Sequence, residues 1–232
     1  MADNPQPPTM LIVTLTVLTV VSGMVDAVSY LGLGHVFTAN MTGNVVILGF
    51  AAAGAPGFSI PASLASLGSF LVGAAAAGRV TAHITSRRHW LLIAMTVEGL
   101  FAGAAAIVAG FHAGDVSSGS ARYTVIIVLA LAMGVRNSTI RRLAVPDITT
   151  TVLTMTLTGL AADSSLAGGS NPHLARRTSA ITAMLAGAIT GAALYLHTGA
   201  TWPLAAVAVT VLTMTVVFAV NPASRQLDVF DR

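Results

Sequence analysis

Asp26 is the residue of this chain most able to do chemistry, because it sits inside a long apolar run from Met10 to Leu33. An ionised carboxylate near the centre of a membrane helix costs about 2.5 to 3.5 kcal/mol on insertion scales, so it must be paired, protonated or facing water. It is the candidate for proton coupling, against the alternative of a packing contact to the region of Thr42 and Asn44. Shortly after it comes Thr38-Ala-Asn-Met-Thr-Gly-Asn44. There Thr38, Asn40, Thr42, Gly43 and Asn44 offer hydroxyls, amides and a flexible glycine where a short helix would begin. Free N–H groups and positive partial charge at such a start suit an anion or a polar solute. The competing reading is that the same side chains only cap the helix.

The pattern recurs. Asn137 lies inside a later apolar run and is followed by Pro146-Asp-Ile-Thr-Thr-Thr151, which makes Asn137, Asp147, Thr149, Thr150 and Thr151 a second set of solute-binding candidates. Gly23, Asp26, Thr38 and Pro61 match Gly134, Asn137, Thr149 and Pro172 at one offset of about 111 residues, the signature of two related halves. The match is imperfect: Thr42 meets Thr154 only after a shift of one residue, and Met155 stands where a glycine would complete the likeness. Arg136 is a candidate anion contact. Its depth differs from that of Asp26 by roughly 15 Å at 1.5 Å per helical residue, so a local partner such as Asp147, or snorkelling to the surface, is expected instead of an Asp26 pair. Glu98, within the run Trp90 to Phe111, has a weaker claim, since no polar residue neighbours it in sequence.

Composition says what must position these groups. Of 232 residues 55% are hydrophobic and 8% charged, against about 25% charged in a soluble domain, so the chain is an integral membrane protein. The net charge of +3 is scattered and forms no nucleic-acid surface. All eleven basic residues are arginine, which excludes Schiff-base chemistry, and the absence of cysteine excludes disulfides, thiolate nucleophiles and iron–sulfur ligation. Six histidines near span ends have no metal-ligand spacing, and no nucleophile stands with a base. Neither a cofactor nor an enzyme activity is expected.

Six apolar runs can cross about 30 Å of hydrocarbon: Met10 to Leu33, Pro61 to Ala82, Trp90 to Phe111, Arg122 to Leu143, Ala175 to His197 and Thr201 to Val220. Two shorter segments, 35–54 and 145–162, start with the polar blocks. If both cross, arginines divide almost evenly between the two sides, against the positive-inside rule. If both dip in and return, every arginine except Arg122 falls toward the side of the N-terminus. The expected fold is therefore all-α, six transmembrane helices in a 3+3 inverted repeat, each half with a re-entrant segment and a short half-helix. The parts are a disordered tail 1–9, a first repeat 10–111, a second repeat 122–220 and a cytoplasmic tail 221–232. Both termini would be cytoplasmic. Trp90 would mark the inner interface, and Tyr123, Tyr195 and Trp202 the outer one. Small residues four apart at Ala74 and Gly78, Gly99 and Gly103, and Gly187 and Gly191 permit close helix packing, within the chain or in a homodimer.

The chain resembles the YoaK-like family of bacterial inner-membrane proteins, a family described as a domain of unknown function. The likeness is carried by Gly23-Met-Val-Asp26-Ala27-Val-Ser29-Tyr30-Leu-Gly32, Val36-Phe-Thr-Ala-Asn40-Met-Thr-Gly-Asn44, Ala132-Met-Gly134-Val-Arg136-Asn137 and Thr149-Thr-Thr-Val-Leu-Thr154. It covers essentially the whole chain and implies six spans and the inner (plasma) membrane, with no substrate. The residues themselves point to a small secondary transporter or channel-like permease for a small polar or anionic solute, coupled to protons through Asp26. A scaffold or accessory subunit without transport is the alternative, and an intramembrane enzyme a third reading. The expected partners are the bilayer, a small-molecule solute and a second copy of the chain.

Overall fold

In hydrocarbon every backbone N–H and C=O must find its partner within the segment, so long apolar runs fold as helices. The computed structural model, which describes residues 8–143 and 153–228, has eight α-helices and no strand among those residues. They are α1 (Thr9–Gly32), α2 (Met41–Ala52), α3 (Ile60–Thr81), α4 (Arg87–Phe111), α5 (Gly119–Leu143), α6 (Leu153–Ala162), α7 (Leu174–Thr198) and α8 (Thr201–Val220). All but α2 and α6 are long and apolar enough to cross a membrane. The six spans start and stop within three residues of the expected limits, and α2 and α6 lie inside the two shorter segments. Local signals explain this: Ser59 and Ser86 cap α3 and α4, accepting hydrogen bonds from Ala62 N–H at 3.4 Å and His89 N–H at 3.1 Å, and Pro61 follows the first cap.

Hydrogen bonds between helix ends sort them onto two faces. On one face Arg122, at the start of α5, donates from Nε to the Leu33 carbonyl just past α1 at 2.8 Å. Ala200 N–H, before α8, donates to the Gly114 carbonyl after α4 at 3.0 Å. On the opposite face Arg142, ending α5, donates to the carbonyl of Thr81, ending α3. Arg88, starting α4, donates to the Ala219 carbonyl at 2.6 Å and to Ser224 at 2.8 Å. Asn221, just past α8, reaches the Met10 sulfur near the start of α1 at 3.5 Å. The start of α1 and the end of α8 therefore lie on the same face.

Four glycines set the tightest crossings. A Cβ on Gly23 of α1 would collide with the Met184 carbonyl and Ala188 nitrogen of α7, and one on Gly187 with the Val20 carbonyl. Likewise a Cβ on Gly134 of α5 would strike the Phe70 carbonyl and Ala74 nitrogen of α3, and one on Gly73 the Leu131 carbonyl. At both crossings helix backbones touch, which only glycine permits. Helices α1 and α5, the most buried spans, form the centre of the bundle, while α3 and α7 turn most of their apolar surface outward. Trp90, in the first turn of α4 beside Arg87 and Arg88, is buried against Ala77 and Ala94. Trp202 is exposed.

Candidate functional site

The chain turns sharply where α1 stops. Gly34 and His35 both have positive φ, 78° and 60°, and a Cβ at Gly34 would strike the Arg122 guanidinium that caps the end of α1. The backbone then runs back beside α1 without helical hydrogen bonds until α2 begins at Met41. Asn44 holds that strip in place. Its Oδ1 accepts the Phe37 N–H at 2.8 Å, and its Nδ2 donates to the Phe37 carbonyl at 2.6 Å. Ser66 of α3 lies 3.1 Å from Asn44 Nδ2 and donates to the same carbonyl at 2.6 Å. One buried amide thus satisfies both backbone groups of a residue that has no secondary-structure partner. The strip is thereby aimed at Asp26, whose Oδ1 accepts the Ala39 N–H at 3.0 Å, with the amides of Asn40 and Thr38 close by.

Beside this contact lies a cavity of about 190 Å³ lined by Ser22, Asp26, Asn40 and Thr42 of the first half, Phe70 of α3, and Leu153 and Met184 of the second half. A more open cavity of about 530 Å³ shares Asn40, Thr42 and Leu153 with it. Its other walls are aromatic and aliphatic, Tyr30, Phe37, Phe50 and Phe58 on one side and Leu157 on the other, with Thr154 adding a hydroxyl. The two short helices α2 and α6 therefore contribute their N-terminal turns to the same space.

The expected site residues divide into three groups. Asp26, Asn40 and Thr42 line the inner cavity, and Gly43 lines the outer one while packing on the Phe37 ring. Asn40 occupies the N-cap position of α2 yet makes no side-chain capping bond, so its amide is free to face the cavity. Asn44 is different: it is wholly buried and committed to Phe37, and so it builds the site without facing it. Thr38 is also wholly buried and faces neither cavity. Asn137, on α5, donates to the Met133 carbonyl at 2.9 Å and lines neither cavity. Asp147, Thr149, Thr150 and Thr151 lie outside the described residues. Ser22 escaped the sequence reading although it stands one turn before Asp26 on the same helix face, a signal that was present. Phe70 and Met184 carry no such signal, since they reach the cavity from other helices.

Arg136 and Glu98 need correction together. Arg136 does not snorkel, and it lines neither of these two cavities. It is 2% exposed, and its Nη1 lies 2.7 Å from Oε1 of Glu98, itself fully buried on α4. Breaking such a buried pair is strongly unfavourable, which explains how α5 tolerates an arginine at that depth. Among the described residues Glu98 Oε2 and Arg136 Nε and Nη2 have no hydrogen-bond partner. The pair was missed because its members are far apart in sequence on different helices. Arg136 makes no hydrogen bond or ion pair with Asp26 and acts on it only through space.

Comparison with known proteins agrees with this framework. No solved structure matches the chain. The UPF0700 transmembrane protein YoaK of Bacillus subtilis (strain 168) is 33% identical over 153 residues, an alignment that takes in 65% of this chain and 66% of that protein, just under two thirds of its length. Residues 14–217, from within α1 to within α8, match the family model described as "Protein of unknown function (DUF1275)", and the chain, a multi-pass membrane protein, belongs to that family.

Proposed function

We propose that this protein is a small secondary transporter that carries a small polar solute through a central site, with Asp26 as the coupling residue. One observation carries the reading: a carboxyl, an uncommitted amide and a hydroxyl from the first half share a partly enclosed cavity whose far wall is Leu153 and Met184 of the second half. A polar cavity at the junction of two related halves is the arrangement by which secondary transporters expose one site alternately to either side. The segment 35–54 is read as re-entrant. His35 Nδ1 lies 3.0 Å from the Gly57 carbonyl, so the chain comes back to the face from which it left. With three spans in each half, the second half is inserted upside down relative to the first. The matching glycine crossings of α1 on α7 and of α5 on α3 support that symmetry. Arg79, Arg87, Arg88, Arg141, Arg142, Arg176, Arg177 and Arg225 fall at or near helix ends on the face that holds the start of α1, which supports reading that face as the cytoplasmic side of a bacterial inner membrane.

The test is flux in proteoliposomes, read as solute-evoked currents or internal pH changes. Solute addition should move charge or protons in the wild type. Asp26→Asn, which keeps the shape and can still accept the Ala39 N–H, should insert and fold normally while losing the pH dependence. Absence of both binding and flux across a panel of amines, anions, sugars and nucleobases would favour the scaffold reading instead. Unchanged pH dependence in Asp26→Asn would make Asp26 a packing residue.

A further inference from the structure

The charge inventory of the two cavities narrows the solute. Among the described residues that line them, Asp26 is the only one with a charge to offer; the rest are hydroxyls, amides, thioethers, aliphatics and aromatic rings. No described arginine or histidine lines either space. The segment 144–152 that precedes Leu153 brings none, since Asp147 is its one ionisable residue. Arg136, the buried cation of the bundle, has its charge matched by Glu98. An anion would therefore face a carboxyl with no cationic side chain to offset it, and only the amides near residues 38–40 on its side.

Shape adds to charge. The inner cavity holds the carboxyl, the Ser22 and Thr42 hydroxyls and the Asn40 amide, while the outer one presents the rings of Tyr30, Phe37, Phe50 and Phe58. Tyr30 and Phe37 are stacked with centroids 5.0 Å apart, and Phe50 and Phe58 stand 5.6 Å apart. Aromatic faces attract cations and apolar bodies alike. The Ala39 N–H is bonded to Oδ1 of Asp26, and an ionised carboxylate, with about four lone-pair sites over two oxygens, has acceptor capacity beyond it. A bare metal ion is a poor match, because hard cations require a close shell of about six or more oxygens and one end of this space is walled by rings.

Resting on the transport reading of the same cavity, we propose that the solute is an organic ammonium ion with an apolar or aromatic body. The ammonium would donate to Asp26, Asn40 and Thr42, and the body would lie among the rings of the outer cavity. Proton and ammonium would then compete for one carboxyl, which makes the protein an exchanger of protons for amines.

The test uses purified full-length protein in nanodiscs and three matched probes: phenethylamine, phenethyl alcohol and phenylpropanoate, with sodium chloride alone as a fourth. Calorimetry should find the amine tighter than the alcohol by at least about tenfold, with the acid and sodium weaker still. Asp26→Asn should lose that tenfold for the amine while binding the alcohol within about twofold of wild type, which also certifies an intact cavity. Asp26→Glu should retain the preference for the amine. Tighter binding of phenylpropanoate than of phenethylamine, saturable sodium binding that excludes the amine, or amine affinity indifferent to Asp26→Asn would each overturn the assignment. Amine binding without flux in proteoliposomes would refute transport and leave the ligand class standing. Flux of an anion insensitive to Asp26 would do the reverse.

Discussion

Residue 44 is as consequential as residue 26, for a different reason. Asp26 supplies the charge, but its position opposite Ala39 depends on Asn44 answering both backbone groups of Phe37. Replacing Asn44 by Leu leaves the buried Phe37 N–H unpaired at about 1 to 3 kcal/mol, while Ser66 still donates to the carbonyl. It should lower the unfolding midpoint and raise the exchange rate of the Phe37 amide in hydrogen-exchange mass spectrometry. Retained protection there would show that Ser66 alone holds the strip. The pair Glu98 and Arg136 makes a second test. Glu98→Gln should destabilise by about 3 to 5 kcal/mol, since it leaves a guanidinium buried without a counter-charge, whereas Glu98→Leu combined with Arg136→Leu should recover most of that loss. Thermal unfolding in detergent measures both, and equal damage in the single and double variants would mean that the ion pair is replaceable by nothing apolar. At this scale the sequence was readable where cost is local. Asp26 announces itself by being charged inside an apolar run, and Asn40 by its place before a helix. Glu98 does not, because the group that satisfies it is a helix away.

Among elements, boundaries were the most legible feature, since hydropathy, serine caps and the Pro61 signal act within a few residues. Packing partners were much less so. The small-residue pairs singled out in the sequence include Gly187 but not Gly23, Gly73 or Gly134, whose role appears only when backbones are seen in contact. The first helices of the two halves keep the sequence offset, as Gly23 and Gly134 do. The glycines that meet them, Gly73 and Gly187, are displaced by three further residues, so a single offset could not expose the second correspondence. If the two crossings are equivalent, Gly23→Ala and Gly134→Ala should each cost about 1 to 3 kcal/mol by overpacking. The measured losses should agree within experimental error. A large loss at one and none at the other would show that the crossings carry unequal loads.

For the molecule as a whole, the pairing of helix ends puts the start of α1 and the end of α8 on one face, and the proposal that this face is cytoplasmic rests on arginine placement. Reporter fusions at Gly57 and Gly169 should read outside and inside respectively, with both chain ends inside. A cytoplasmic Gly57 together with an external Gly169 would refute the arrangement. Charge counting can propose this much because the positive-inside rule needs only sequence order. It could not read the cavity, whose walls come from five helices and the strip between α1 and α2.

The span crossings have one more implication, for movement. Each of the closest packings, α1 on α7, α3 on α5 and α4 on α8, joins a helix of one half to a helix of the other. The halves are interleaved like the fingers of two hands, and no hinge lies between them. Any cycle that opens the cavity first to one side and then to the other must rock mixed pairs, α1 with α7 against α3 with α5, each pair locked by touching backbones into a single lever. A covalent tie within a pair, such as cysteines introduced across α1 and α7 near the glycine crossing, would then leave turnover intact. The same tie between the pairs, from α2, which packs on α3, to α6, which packs on α7, would arrest it.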